Sequence, residues 1–207
     1  MKIFKELGLA DIFSILNALS GFFGISFILR GFNNLIFNFL YFSTLMDGMD
    51  GFIANRVGKS KLGKDLDSLA DIISFGVFPS LILVNFGFSW IGALYLVTAL
   101  LRLARFNILS KENFVGLPTL ASALTLSCWI KLELPYLEMI AVILSILMIS
   151  DFEYIRIKNR IVLLLCGVVI VANAFTIYAV WILLLMLMLY ISSPGVITLA
   201  RRISKPG

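Results

Sequence analysis

Eight long apolar runs separated by short polar breaks leave this chain few ways to fold. They extend roughly over Ile12–Leu29, Leu35–Ala54, Leu66–Val84, Trp90–Leu109, Val115–Ile130, Leu137–Ile149, Ile161–Phe175 and Tyr178–Leu199. A backbone inside a bilayer must satisfy its own hydrogen bonds, and apolar segments of about 20 residues do so as helices. Composition agrees: 60% of residues are hydrophobic and 14% charged, at a mean hydropathy of +1.02, where soluble domains carry about 25% charge. The expected fold is an all-α integral membrane protein, a single domain over residues 1–207. It is a bundle of about eight transmembrane helices, or six if a late hairpin does not cross. The opening MKIFKELGLADIF reads as a short amphipathic helix on the membrane surface, feeding the first span.

Charge placement gives the orientation. If eight helices cross in order, one side receives Lys2, Lys5, Arg56, Lys59, Lys61, Lys64, Arg102, Arg105, Lys111, Arg156, Lys158, Arg160, Arg201, Arg202 and Lys205. The other receives only Arg30 and Lys131. Positive loops mark the cytoplasm, so both termini are expected there. The net charge of +5 follows from this topology and does not imply nucleic acid as a partner. Histidine is absent, which excludes Ser-His-Asp, Cys-His and His-ligated zinc chemistry. Cys128 and Cys166 lie inside apolar runs and read as small buried hydrophobes.

Against this background, MDGMDGFIANRVGKSKLGKDLDSLAD holds Asp47, Asp50, Asp65, Asp67 and Asp71, five of the twelve acidic residues. Asp47, Gly51 and Ala54 share one stripe of the second helix, with Asp50 one turn from Asp47. Gly63, Asp67 and Asp71 are spaced by four and share a face at the start of the third. Antiparallel neighbours joined by NRVGKSKL would bring Asp47, Asp50, Asp67 and Asp71 together just under the cytoplasmic surface. Like charges about 4 Å apart repel by roughly 4 kcal/mol at an effective dielectric near 20, so bare carboxylates there would protonate or bind divalent cations. Oxygen ligands suit magnesium, manganese or calcium. Asp65 is out of phase and reads as a solvated charge. Gly51, Ala54 and Gly63 serve either helix packing or the close approach of a flat ligand. Arg56, Lys59, Lys61 and Lys64 serve orientation or anion binding.

Asp47-x-x-Asp50-Gly51-x-x-Ala54 followed by Gly63-x-x-x-Asp67-x-x-x-Asp71 resembles the signature of the CDP-alcohol phosphotransferases. Asn55 stands where that family has an arginine, and Arg56 follows it. LDSLADIISFGVFPS, Leu101–Asn107, Phe114–Thr119 and Leu147–Ser150 are similar to stretches of the phosphatidylserine synthases in that superfamily, apart from Leu120 where a proline is usual. The resemblance implies transfer of a phosphatidyl or archaetidyl group from CDP-diacylglycerol or CDP-archaeol to L-serine, releasing CMP. It implies two Mg2+ or Mn2+ ions on Asp47, Asp50, Asp67 and Asp71, with Asp71 also the catalytic base. It implies nucleotide contacts from Asp47, Asp50, Gly51, Ala54, Gly63 and Arg56, and a homodimer. Arg102, Arg105 and Asn107 are candidates for binding the serine carboxylate or a donor phosphate, or are simple topology charges.

Three rivals differ in what they require. A phosphorylated acceptor, glycerol 3-phosphate or inositol phosphate, needs further converging bases. A cation transporter needs carboxylates along a path through the bilayer, whereas here they cluster at one side. A purely structural role leaves the aspartates unexplained.

Overall fold

The computed structural model describes residues 6–31, 34–58, 60–108, 114–157 and 159–203, side chains at 160 and 196–203 excepted. Within these residues the regular elements are helices apart from one small ribbon. We label the helices α1 Leu9–Arg30, α2 Ile36–Val57, α3 Gly63–Asn85, α4 Ser89–Ile108, α5 Thr119–Lys131, α6 Leu137–Ile149, α7 Arg160–Ala172 and α8 Ile177–Ile203. The boundaries fall within a few residues of the apolar runs. The end of the fourth run, Leu109, lies outside the described residues.

Four helices are long and apolar enough to cross a membrane: α1, α3, α4 and the Ile177–Gly195 part of α8. Leu137–Ile149 and Ile161–Ala172 are apolar but shorter. The second half of α2 is diluted by Asp47, Gly48, Asp50 and Gly51. The expected surface helix at the start needs correction among the described residues. Glu6–Gly8 are not helical, and Leu9–Phe13 already belong to α1. Residues 1–5 lie outside the description. The start of α1 is fixed by Asp11, whose Oδ2 accepts the Gly8 N–H at 2.8 Å and satisfies a donor that the helix cannot.

Small residues set how closely the first three helices pack. A Cβ on Gly21 would overlap the Ser74 side chain, and one on Gly24 would overlap the Phe78 ring. On α1 the residues Asp11, Ser14, Asn17, Ser20, Gly21, Gly24 and Ile28 are all buried, forming a largely polar or small stripe within an apolar helix. The core below it holds Phe37, Leu40, Phe75, Phe78, Leu83, Tyr95, Leu117 and Leu144.

α3 is continuous but not uniform. Ile72–Val77 form a π turn between the α segments Gly63–Asp71 and Phe78–Asn85. Pro79 has no N–H to offer the carbonyl one turn earlier, and its ring would crowd that carbonyl in a regular helix. The wide turn upstream accommodates this and begins directly after Asp71.

Polar contacts join helix ends in the alternation expected of an antiparallel succession. Lys64 Nζ donates to the Asn107 carbonyl at 2.6 Å, joining the start of α3 to the end of α4. At the other extremity Lys131 Nζ donates to the Asn173 carbonyl at 2.7 Å, joining the ends of α5 and α7. Two short strands, β1 (Phe114–Val115) and β2 (Glu153–Tyr154), pair antiparallel with Phe114 opposite Tyr154. They link the α4–α5 and α6–α7 connections.

Candidate active site

The sequence brings carboxylates to one place by helix phase, and the structure realises that convergence for three of them. One oxygen each from Asp47 on α2 and Asp67 and Asp71 on α3 lie within 4.8 Å of one another. The i, i+4 spacing of Asp67 and Asp71 stacks them on one face. Three half-buried carboxylates this close repel one another strongly unless a cation lies between them. An all-oxygen donor set of this kind fits a hard divalent ion such as Mg2+ or Mn2+. Asp50 lies outside this trio but next to Asp47: it is buried and accepts a hydrogen bond from the Ser14 hydroxyl of α1.

Asn17 Nδ2 donates to Asp71 Oδ1 at 3.1 Å, orienting that carboxylate. The Asn17 carbonyl in turn accepts Ser43 Oγ from α2 at 3.1 Å and Ser74 Oγ from the π turn at 2.8 Å. α1 therefore holds both aspartate-bearing helices through one residue. Sequence reasoning passed over Ser14 and Asn17. The three-residue spacing of Asp11, Ser14, Asn17 and Ser20 was the available signal, since polar side chains repeating on one face of a spanning helix face protein rather than lipid.

The remaining residues of the signature separate into different environments. Gly51 is exposed, and a Cβ added there meets nothing within 4 Å. Ala54, one turn on, is buried. A Cβ on Gly63 would lie 3.0 Å from Asp11 Oδ1 and 3.2 Å from Ser60 Oγ, so this glycine leaves room for the start of α1. Arg56 is exposed, with its guanidinium 4.3 Å from the centre of the Phe52 ring. Asp65 is exposed, as its phase implies. Lys59 lies outside the described residues.

Arg105 is half-buried and clamped. Its Nη2 donates to the carbonyls of Val115 (3.1 Å), Met148 (3.3 Å) and Ser150 (2.6 Å), and its Nη1 to the Ile149 carbonyl and Asp151 Oδ1, both at 3.2 Å. Gly116 makes this possible. It has φ +79°, and a Cβ there would run into the Met148 carbonyl and Arg105 Nη2. The stretches Leu101–Asn107, Phe114–Thr119 and Leu147–Ser150 are thus one structural unit. The Asn107 side chain exchanges hydrogen bonds with Ser68, next to Asp67, at 2.9 and 3.2 Å.

Arg102, one turn before Arg105, is only 5% exposed, and its Nε is buried without a hydrogen-bond partner. Its guanidinium lies 5.3 and 5.5 Å from the centres of the Phe106 and Phe114 rings. It interacts electrostatically with Asp71 and Asp47, which puts one cation beside the carboxylate group.

The CDP-alcohol phosphatidyltransferase family model matches residues 7–192, nearly the whole described chain. The chain belongs to that family. Among curated proteins, it is 35% identical over 170 residues to a CDP-diacylglycerol–serine O-phosphatidyltransferase of Methanocaldococcus jannaschii, covering 77% of this chain and 80% of that protein. It is 34% identical over 173 residues to the archaetidylserine synthase of Methanothermobacter thermautotrophicus, covering 76% and 74%. A CDP-diacylglycerol–serine O-phosphatidyltransferase of Helicobacter pylori matches at 37% over 139 residues, 56% of this chain and 59% of that protein.

Proposed function

We propose that this protein transfers the phosphatidyl-type group of a CDP-linked lipid, CDP-diacylglycerol or CDP-archaeol, to the hydroxyl of L-serine, releasing CMP. The observation that carries the reading is the convergence of Asp47, Asp67 and Asp71 within 4.8 Å, in a chain whose relatives are named for serine transfer. Asp47, Asp67 and Asp71, with Asp50 beside them, would hold two Mg2+ or Mn2+ ions, which supply charge neutralisation for the diphosphate and the departing CMP.

The chain's own residues do the rest. The serine oxygen attacks the lipid-bearing phosphorus, the bond from that phosphorus to the CMP oxygen breaks with its electron pair, and CMP leaves. Asp71 accepts the hydroxyl proton, held towards the reaction by Asn17. Gly51 and Ala54 form a wall without large side chains for the cytidine, with Gly63 at its edge and Arg56 near the phosphates. Arg102 takes the serine carboxylate, since a buried guanidinium with an unused donor favours an anion. Arg105 and Asn107 position the surrounding segments, an assignment that follows from their hydrogen bonds.

All eight helices cross the bilayer in this reading, the shorter ones where polar ends thin the apolar layer, and the chain functions as a homodimer, which rests on the family resemblance. The active site and both termini face the cytoplasm, supported by fifteen basic residues on one side against two on the other. A cysteine at Ser60 should react with an impermeant thiol reagent only from the cytoplasmic side, and one at Ser89 only from outside. The reverse would overturn the orientation. For the activity, purified protein is incubated with a CDP-lipid, Mg2+ or Mn2+, and either serine, glycerol 3-phosphate or inositol phosphate, and CMP release is read. Release with serine alone is expected. Release with only a phosphorylated acceptor would refute the substrate assignment.

A further inference from the structure

Asp50 is the signature aspartate outside the converging trio, and the group that holds it comes from a helix with no part in the signature. Ser14 on α1 and Asp50 on α2 are both buried, and the Ser14 hydroxyl donates to Asp50 Oδ2. A serine within a helix readily turns its hydroxyl back to the carbonyl one turn earlier. Ser26, further along α1, does this with the Phe22 carbonyl at 3.0 Å. A hydroxyl has a single hydrogen to give, and Ser14 gives it to the carboxylate of another helix.

Three residues along α1, Asn17 Nδ2 treats Asp71 of α3 in the same manner, at 3.1 Å. Side chains three apart share a helix face, so one face of α1 supplies donors to carboxylates on both aspartate-bearing helices. Each bond engages one oxygen, Oδ2 of Asp50 and Oδ1 of Asp71. It restrains the carboxylate and leaves the second oxygen to a further partner. Asp50 interacts electrostatically with Asp47, whose own carboxylate converges with those of Asp67 and Asp71 within 4.8 Å. The platform from which Ser14 reaches is itself fixed one turn away, where the Asn17 carbonyl accepts Ser43 Oγ of α2 and Ser74 Oγ of α3.

We infer that Ser14 is a positioning residue of the metal centre, whose hydroxyl holds the Asp50 carboxylate in place to ligate a divalent cation alongside the three converging aspartates. Ligating carboxylates are themselves held by outer hydrogen bonds, and metal affinity depends on those bonds as well as on the ligands. The inference rests on the reading of these aspartates as ligands of Mg2+ or Mn2+, and is independent of which alcohol accepts the lipid phosphate. It gives α1 a share in metal affinity that the signature on α2 and α3 does not contain.

The test is a Mn2+ titration of the full chain in detergent, with and without CMP, in which free Mn2+ is read by electron paramagnetic resonance. Ser14→Ala should weaken Mn2+ binding by about ten- to a hundredfold, the loss usual for an outer-sphere partner. Ser14→Cys, which keeps a weaker donor at the same place, should lose less. Ser26→Ala, whose hydroxyl serves only its own helix, should bind Mn2+ as the original does. A double-mutant cycle with Asp50→Asn isolates the contact. Once Asp50 is changed, Ser14→Ala should cost nothing further, and losses that multiply would overturn the inference. In turnover, the Mn2+ concentration for half-maximal rate should rise in Ser14→Ala while the KM for serine stays put. A folded Ser14→Ala protein with unchanged Mn2+ affinity, whatever its melting temperature, would overturn the positioning role and leave the metal reading standing. An original protein that takes up no Mn2+ even with CMP present would take down the metal reading and this inference with it. If Ser14→Ala does not fold, Ser14→Cys carries the same decision.

Discussion

The segment around Arg105 and the segment around Arg102 are one helical turn apart on α4, yet they are built in opposite ways. Arg105 meets four carbonyls and a carboxylate drawn from β1, the end of α6 and the two residues after it. Arg102 is the more deeply buried, lies on aromatic rings, and keeps a donor without a partner. A buried polar group that is fully hydrogen-bonded stabilises architecture, while one left unsatisfied is tolerated only where something else completes it. By that criterion the Arg105 side of the helix is scaffold, and we propose the Arg102 side, with the three converging carboxylates, as the working face.

The contrast is broken most severely at the carboxylates. Asp67→Asn or Asp47→Asn removes a charge and an oxygen donor at the point of convergence. Turnover should fall below detection, while the ligand-free protein melts at the same temperature or higher, because repulsion is relieved. Excess chelator should silence the original enzyme in the same way, and full activity in chelator would end the metal reading. Asp71→Asn should lose at least the ~10²-fold typical of removing a general base, in an acceptor-transfer assay with metal binding checked separately.

The two arginines come next. Arg102→Lys keeps the charge but not the fork, so the serine KM should rise with little change in melting temperature. Arg105→Lys should do the reverse, lowering thermal stability by about 1.5–3 kcal/mol, the range for hydrogen bonds to a charged group, with a small change in serine KM. If both variants behave alike, scaffold and working face are not separate.

Two glycines sharpen the same division with smaller effects. Gly116→Ala forces a side chain into φ +79° and against the Met148 carbonyl, so it should destabilise by about 1–3 kcal/mol, read by thermal melting. Gly51→Leu points into open space and should leave melting unchanged while weakening CDP-lipid binding. Normal CDP-lipid binding by a folded Gly51→Leu protein would remove this glycine from the nucleotide wall.

Much of this organisation was legible from residue order alone. Apolar runs locate the helices because lipid-facing segments must be both long and helical. Fourfold spacing locates Asp67 and Asp71 on one face because the helix repeats every 3.6 residues. What escaped depends on contacts between distant segments. Asp50 and Asp47 are one turn apart on α2 and look equivalent, until Ser14 of α1 accounts for Asp50. Arg102 and Arg105 look equally basic, and only the packing of two connections tells them apart. β1 and β2 have two residues each, too few for an alternating pattern to emerge. The π turn leaves no trace in hydropathy, and Pro79 is its sole local cue.

The clamp on Arg105 also has a consequence in time. Its partners among residues 148–151 are 43 to 46 positions further along the chain. A ribosome has therefore made α5 and most of α6 before the guanidinium can meet them. During that interval the Val115 carbonyl is the one partner of the clamp already made. Closure of the clamp then marks the moment at which the first six helices have all been made, and it ties the fourth of them to the sixth.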